Sequence, residues 1–248
     1  YYKMNDATDE TGSYDGTATN VNFNVAGKFG NAGYFNGSSS AISIGTELIP
    51  ATSNFSLSFW INRNTSSDSD LFNQATSSGD IRTYFKLYSN GTFGVSSAGT
   101  NGSRIQVPNT TSAITNGQWE HIAIVRDGSN MTFYINGTGE TETISGGVVG
   151  VGRGDLIIGS ASASPDGKID QVRIFNRAIT SDEVETLYNE VQCIPTIVPT
   201  DYFNSVLWTG QNQNVNRSIS GVGFQPDFTW VKVRNYGGWS HQLYDSVR

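Results

Sequence analysis

Apolar and polar residues alternate with period two along this chain, and turn residues interrupt the alternation about every 10 to 15 positions. No other feature constrains the fold as much, because successive side chains of a strand point to opposite faces. The stretch NFSLSFWIN, residues 54–62, is the clearest case: Phe55, Leu57, Phe59 and Ile61 take one face and Ser56 and Ser58 the other, with Trp60 standing among the polar positions. Asn90-Gly91 lies between TYFKLYS and TFGVSS, and Asn136-Gly137 follows MTFYI, so both predict turns with positive φ; Asp127-Gly128 predicts a third hairpin after WEHIAIVR. Many short strands of this kind bury themselves by stacking into two sheets or closing into a barrel, so the fold class is all-β.

The helical signal is confined to one place. Thr180 with Glu183 three residues on forms a capping box, and Val184, Leu187 and Tyr188 supply the apolar stripe of one short C-terminal surface helix. Beyond it, CIPTIVPT carries two prolines and no alternation. The reading is therefore a first domain over residues 1–192, a Pro-containing linker over 193–200, and the N-terminal part of a second β-rich module over 201–248. The last segment offers VLW, SISGVGF and DFTWVKVRN as strands, and about 48 residues are too few for an independent two-layer sandwich, so it is expected to need more chain or a partner.

Composition excludes several classes. With 36% apolar and 12% aromatic residues the chain can build a core, while its formal charge of −7 and lack of a Lys/Arg cluster argue against nucleic acid. Cys193 is the single cysteine and cannot form an intramolecular disulfide. No apolar run reaches the roughly 18 residues that insertion into a membrane requires, and YYKMNDATDE has neither the basic start nor the apolar core of a signal peptide, so Tyr1 reads as the start of a domain.

No catalytic residues are expected. Trp119 and His121 share a strand face with Ala123 and Val125, which predicts a core tryptophan and a structural imidazole. Two histidines and one distant cysteine make neither a zinc site nor a Cys/His nucleophile. Glu140 and Glu142 have the same-face spacing of a glycosidase pair, but GTGETETISGG has no aromatic platform and reads as a solvated edge. Sugar binding is the serious alternative to a purely structural role: Tyr84 and Tyr88, with Asn73 and Gln74, could form an aromatic and amide platform, unless the tyrosines only cover the outer sheet. One anomaly remains in GKIDQVRIFNRAIT, where Asp170 lies between Ile169 and Val172. A buried carboxylate there needs amide donors, a cation or a place at the rim.

The ordered phrases YYKMND, GKFGNAGYFNGSSSAISI, NFSLSFWIN, NGQWEHIAIVRDGSNMTFYING and GKIDQVRIFNRAITSDEV resemble the laminin-G-like jelly-roll domains of the concanavalin A-like lectin superfamily. The resemblance implies a two-sheet antiparallel jelly-roll sandwich. It also implies that Asp170 helps hold a structural Ca²⁺ with Asn5, Asp6, Asp9 and backbone around Gly12, the alternative being that Asp170 accepts hydrogen bonds from amides or from an arginine such as Arg173. The superfamily includes glucanases, whose carboxylate pair is missing here. The closing phrases, SISGVGFQPDFTWVKVRN above all, resemble a β module of structural proteins in marine bacteriophages. That resemblance implies a non-enzymatic virion protein, such as a tail fibre, spike or decoration protein, on the particle surface. Its partners would be other virion proteins or copies of itself, a trimer for example, and a cell-surface glycan. The alternative is a carbohydrate-binding or adhesion module of a secreted bacterial protein.

Overall fold

The computed structural model describes residues 1–50, 53–76, 82–98, 105–146, 154–191, 204–209, 219–225, 228–233 and 242–245. It divides into two units, Tyr1–Val191 and Gln192–Arg248.

The first unit is a sandwich of two antiparallel sheets. One has seven strands among the described residues, in the order β12 (Thr138–Thr143), β11 (Asn130–Ile135), β10 (Trp119–Asp127), β5 (Phe55–Arg63), β15 (Asp166–Phe175), β3 (Asn31–Asn36) and β2 (Asn22–Ala26). The other has eight, in the order β1 (Thr17–Thr19), β4 (Ala41–Ser43), β14 (Leu156–Gly159), β6 (Ser69–Ala75), β7 (Arg82–Leu87), β8 (Phe93–Ala98), β9 (Ile105–Val107) and β13 (Ser145–Gly146). Consecutive hairpins such as β6–β7–β8 and β10–β11–β12 are joined to strands far apart in sequence, β10 to β5, β5 to β15 and β14 to β6, as in a jelly roll. The hairpin between β11 and β12 turns on Asn136 and Gly137, whose φ angles of 50° and 81° suit a two-residue turn matched to strand twist.

The core lies where the alternation places it. Phe55, Leu57, Phe59 and Ile61 of β5 are buried with Ile122, Ile124 and Ile169 from its own sheet and with Phe72 and Phe85 from the facing one. Phe59 meets Phe72 edge to face at 5.0 Å, and Phe55 meets Phe85 at 5.9 Å, so aromatic pairs join the two layers. Each such side chain removed from water contributes about 1.5 to 3 kcal/mol.

The outer face of β5 is buried as well, which alternation alone does not predict. Helix α1 (Ser181–Tyr188) lies over it: Val184 packs with Ala123, Val125 and Ile179, and Leu187 adds to this second cluster. The helix has the expected capping box, with the Thr180 hydroxyl accepting from the Glu183 amide and the Glu183 carboxylate accepting from the Thr180 amide. Tyr188 stacks on Trp60 at 5.9 Å, which explains how an indole and two serines can all be buried on that face.

In the second unit β16 (Phe228–Val231) pairs antiparallel with β17 (Gln242–Asp245), placing Trp230 opposite Leu243. Phe228, Trp230, Leu243 and Tyr244 are each at least 60% exposed.

Candidate ligand-binding faces

Asp170 is fully buried on β15, immediately before a bulge at which Gln171 takes a φ of 53°. One carboxylate oxygen accepts from the Phe29 amide at 2.9 Å and the other from the Gln171 side-chain amide at 3.1 Å. Burial raises its pKa, and these hydrogen bonds oppose the rise. Asp170 thus fastens the Gly27–Gly30 turn to the sheet, and Arg173 pairs with Glu190 instead. The other residues of the implied calcium set also have protein partners. Asn5 accepts from the Asn31 amide at 3.2 Å, and Asp6 accepts from the Thr8 amide at 2.8 Å. Asp9 accepts from the Tyr1 α-ammonium at 2.6 Å and from the Thr11 hydroxyl. Burial pushes Asp9 up, but these donors outweigh it and hold the carboxyl at about 2. Among the described residues no group of three or more Asp, Glu, His or Cys could hold a metal ion. Each of the four side chains of the implied calcium set is thus engaged by a donor from the protein.

Tyr84, Tyr88, Asn73 and Gln74 separate into two roles. Gln74 is fully buried, accepting from the Leu48 and Ile49 amides and donating to the Ile49 carbonyl, and Asn73 donates to the Gly159 carbonyl at 2.7 Å. Both amides are spent on joining strands. Tyr84 is half-buried on the outer face of β7 with Arg82 and Lys86, whose cations lie 5.9 and 5.6 Å from its ring centre, and Tyr88, also half-buried, follows the end of the strand. Lys86 is paired with Asp70 at 2.6 Å.

The seven-stranded sheet presents a different face beyond the reach of α1. Register pairs Trp119 with Asn62, Asn62 with Lys168, Lys168 with Tyr34, and Tyr34 with Asn22. Ile61 and Ile169, the chain neighbours of Asn62 and Lys168, are core, so this row points outward. It spans roughly 14 Å from Trp119 to Tyr34 at the usual strand spacing. Trp119 is half-buried and, among the described residues, makes no side-chain hydrogen bond and no ring contact; the expectation of a core tryptophan is corrected. The physical reason is length. An eight-residue helix covers about 12 Å, whereas nine-residue β10 runs about 30 Å, so α1 shields Ala123 and Val125 and leaves Trp119 open. The lengths of helix and strand are legible in the sequence, but which end of β10 the helix covers is set by the packing of Val184 on Ala123 and Val125. At the far end of the row the Tyr34 hydroxyl donates to Asp166 at 3.2 Å, and burial followed by the Asp166 charge raises its pKa.

Two other constellations are engaged within the protein. Ser58 and the His121 Nε2 lie 2.9 Å apart, but both residues are fully buried, so the pair does not meet solvent. Glu140 is no bare solvated edge. It accepts from the Thr111 amide at 2.6 Å and the Ser112 amide at 3.0 Å, stapling a loop to β12.

A family model described as the concanavalin A-like lectin/glucanases superfamily matches residues 36–185, and one described as a domain of unknown function (DUF7483) matches residues 198–248. No curated protein matches by sequence. Among solved structures, domain 4 of AbnA, a GH43 extracellular arabinanase from Geobacillus stearothermophilus, in complex with arabinotriose, is similar at a TM-score of 0.60 and 24% identity, over 74% of this chain and 93% of that one. The receptor-binding domain of botulinum neurotoxin type G is similar at 0.54 and 19% identity, over 72% of this chain and 47% of that one. Trypanosoma rangeli sialidase is similar at 0.50 and 17% identity, over 70% and 29%. The chain thus spans nearly all of the arabinanase domain but less than half of the other two.

Proposed function

The chain belongs to the concanavalin A-like lectin/glucanases superfamily through residues 36–185, and on that footing we propose that its first unit is a non-enzymatic carbohydrate-binding module that holds a glycan on the outer face of the seven-stranded sheet. The observation that carries this reading is Trp119: a partly exposed indole, without a ring or hydrogen-bond partner among the described residues, in one row with Asn62, Lys168 and Tyr34. An indole face offers a flat apolar surface to the C–H side of a sugar ring, while an amide and an ammonium beside it supply donors and an acceptor for hydroxyls. A non-catalytic role is supported by Glu140, whose carboxylate is engaged with loop amides, and by the burial of Ser58 and His121. The likeness to a domain solved with arabinotriose makes that trisaccharide a suitable first probe.

The finer reading is attachment from the outside of a particle: a bacteriophage virion protein that presents the sandwich to a cell-surface glycan. It is supported by the closing phrase SISGVGFQPDFTWVKVRN, and finding the protein in fixed copies in purified particles, rather than in culture supernatant, tests it. For the binding reading, titration calorimetry of the whole chain against arabinotriose and a panel of oligosaccharides should detect a ligand. Trp119→Ala should abolish binding without changing the melting temperature, and Tyr84→Ala should leave binding intact. A folded protein that binds nothing in the panel, or a Trp119→Ala variant that binds as wild type, would overturn the reading.

A further inference from the structure

We infer that the glycan held on the Trp119 face is acidic, a carboxylate-bearing oligosaccharide recognised by Lys168 and Lys28 without a bridging metal ion. This rests on the carbohydrate-binding reading and narrows it. The first unit contains four lysines. Lys3 is paired with Glu10 and Lys86 with Asp70, whereas Lys28 and Lys168 form no ion pair among the described residues. Both unpaired ammonium groups belong to the face that carries Trp119. Lys168 stands in the middle of the row, and its Nζ lies 3.3 Å from the Ala26 carbonyl, the last residue before the turn that carries Lys28. The Lys28 Nζ lies 4.0 Å from the centre of the Trp60 ring, and Trp60 is two residues from Asn62 on the same face of β5.

Among the described residues, the two neighbouring carboxylates form no ion pair with either lysine. Asp166 accepts from the Tyr34 hydroxyl and the Asn64 side-chain amide, and Asp170 is sealed beneath the Gly27–Gly30 turn. Two ammonium groups without a carboxylate partner are thus gathered on one face of a chain whose formal charge is −7. Lys168 uses one of its three donors on the Ala26 carbonyl and keeps two. A neutral sugar would receive ordinary hydrogen bonds from them, while a carboxylate would receive charge-assisted ones, roughly twice as strong. Among the described residues no group of three or more Asp, Glu, His or Cys could hold a metal ion, and the positive charge is assigned to these lysines.

The test is titration of the full chain with a galacturonate trisaccharide and with arabinotriose, at low and high salt. The uronate should bind about ten-fold more tightly at low salt, and the preference should shrink at high salt as screening sets in. Lys168→Gln and Lys28→Gln should each erase most of the uronate-over-arabinotriose preference, Lys168→Arg should retain it, and a chelator should change nothing. Unchanged melting temperatures would show that the variants remain folded. Equal affinity for the two probes, a preference that survives both Lys→Gln changes, or loss of uronate binding on chelation would each overturn the inference. In those cases Trp119→Ala still decides whether the glycan reading stands. Failure of the wild type to bind either probe or any other oligosaccharide would remove both.

Discussion

His121 is enclosed on every side. Its ring lies 5.3 Å from that of Trp60 and 6.1 Å from that of Tyr188, and Nε2 meets the Ser58 hydroxyl. Burial first, and then the positive charges of Arg173 and Lys28, pull its pKa down to about 4. An unfolded histidine titrates near 6.5, so between these two values the unfolded chain binds a proton that the folded chain refuses. The contribution is complete above about pH 6.5 and is lost as pH falls through about 4, with a magnitude of about 3 kcal/mol. Urea denaturation at a series of pH values should show that loss, and His121→Gln should flatten it; a profile unaffected by the substitution would refute the assignment. At this scale the sequence is legible where a residue violates its surroundings. Asp170 stood out as a carboxylate in an apolar strand, and amide donors were one of the solutions foreseen. Gln74 did not stand out, because what consumes it is the backbone around Ile49, 25 residues away, and nothing local announces that contact.

At the scale of elements, β5 and β10 are each covered on both sides, and the second cover is the short helix. Strand identity and the inner face follow directly from alternation, since Phe55, Leu57, Phe59 and Ile61 all enter the core. The outer face depends on where α1 lands, and the stripe of Val184 and Leu187 fixes that only through tertiary packing on Ala123 and Val125. The extent of that cover separates the buried half of the face from the open half at Trp119, so the candidate site is set by a helix end rather than by any motif of its own. The helix start is local and was readable: Thr180 and Glu183 cap each other, and Arg177 pairs with Glu183 at 2.6 Å. Thr180→Ala should cost about 1 kcal/mol through loss of the cap. Thermal melting measures it, and Thr180→Ser should recover most of the loss, whereas equal melting temperatures for Ala and Thr would show that packing alone holds the helix.

At the scale of the whole molecule the described residues of the two units differ in how much apolar surface they hide. The first buries more than two dozen hydrophobic side chains in one cluster and adds the smaller one under α1. In the second, the β16–β17 hairpin carries Phe228 and Trp230 on one strand and Leu243 and Tyr244 on the other, all largely exposed. A lone two-stranded hairpin is marginal in water, and its four unburied side chains forgo about 1.5 to 3 kcal/mol each. Such a unit gains stability by completing its sheet with further chain or with a second copy, and symmetric assembly is the common way for one β module to cover the edge of another. Expressing residues 1–192 and 201–248 separately tests this. The first piece should be soluble and melt cooperatively, with the same dependence on His121 protonation as the whole chain. The second should be unfolded or aggregated in isolation. A monomeric second piece with a cooperative melt of its own would show that the exposed aromatics are compatible with independent folding, and the case for an assembly-dependent module would fall.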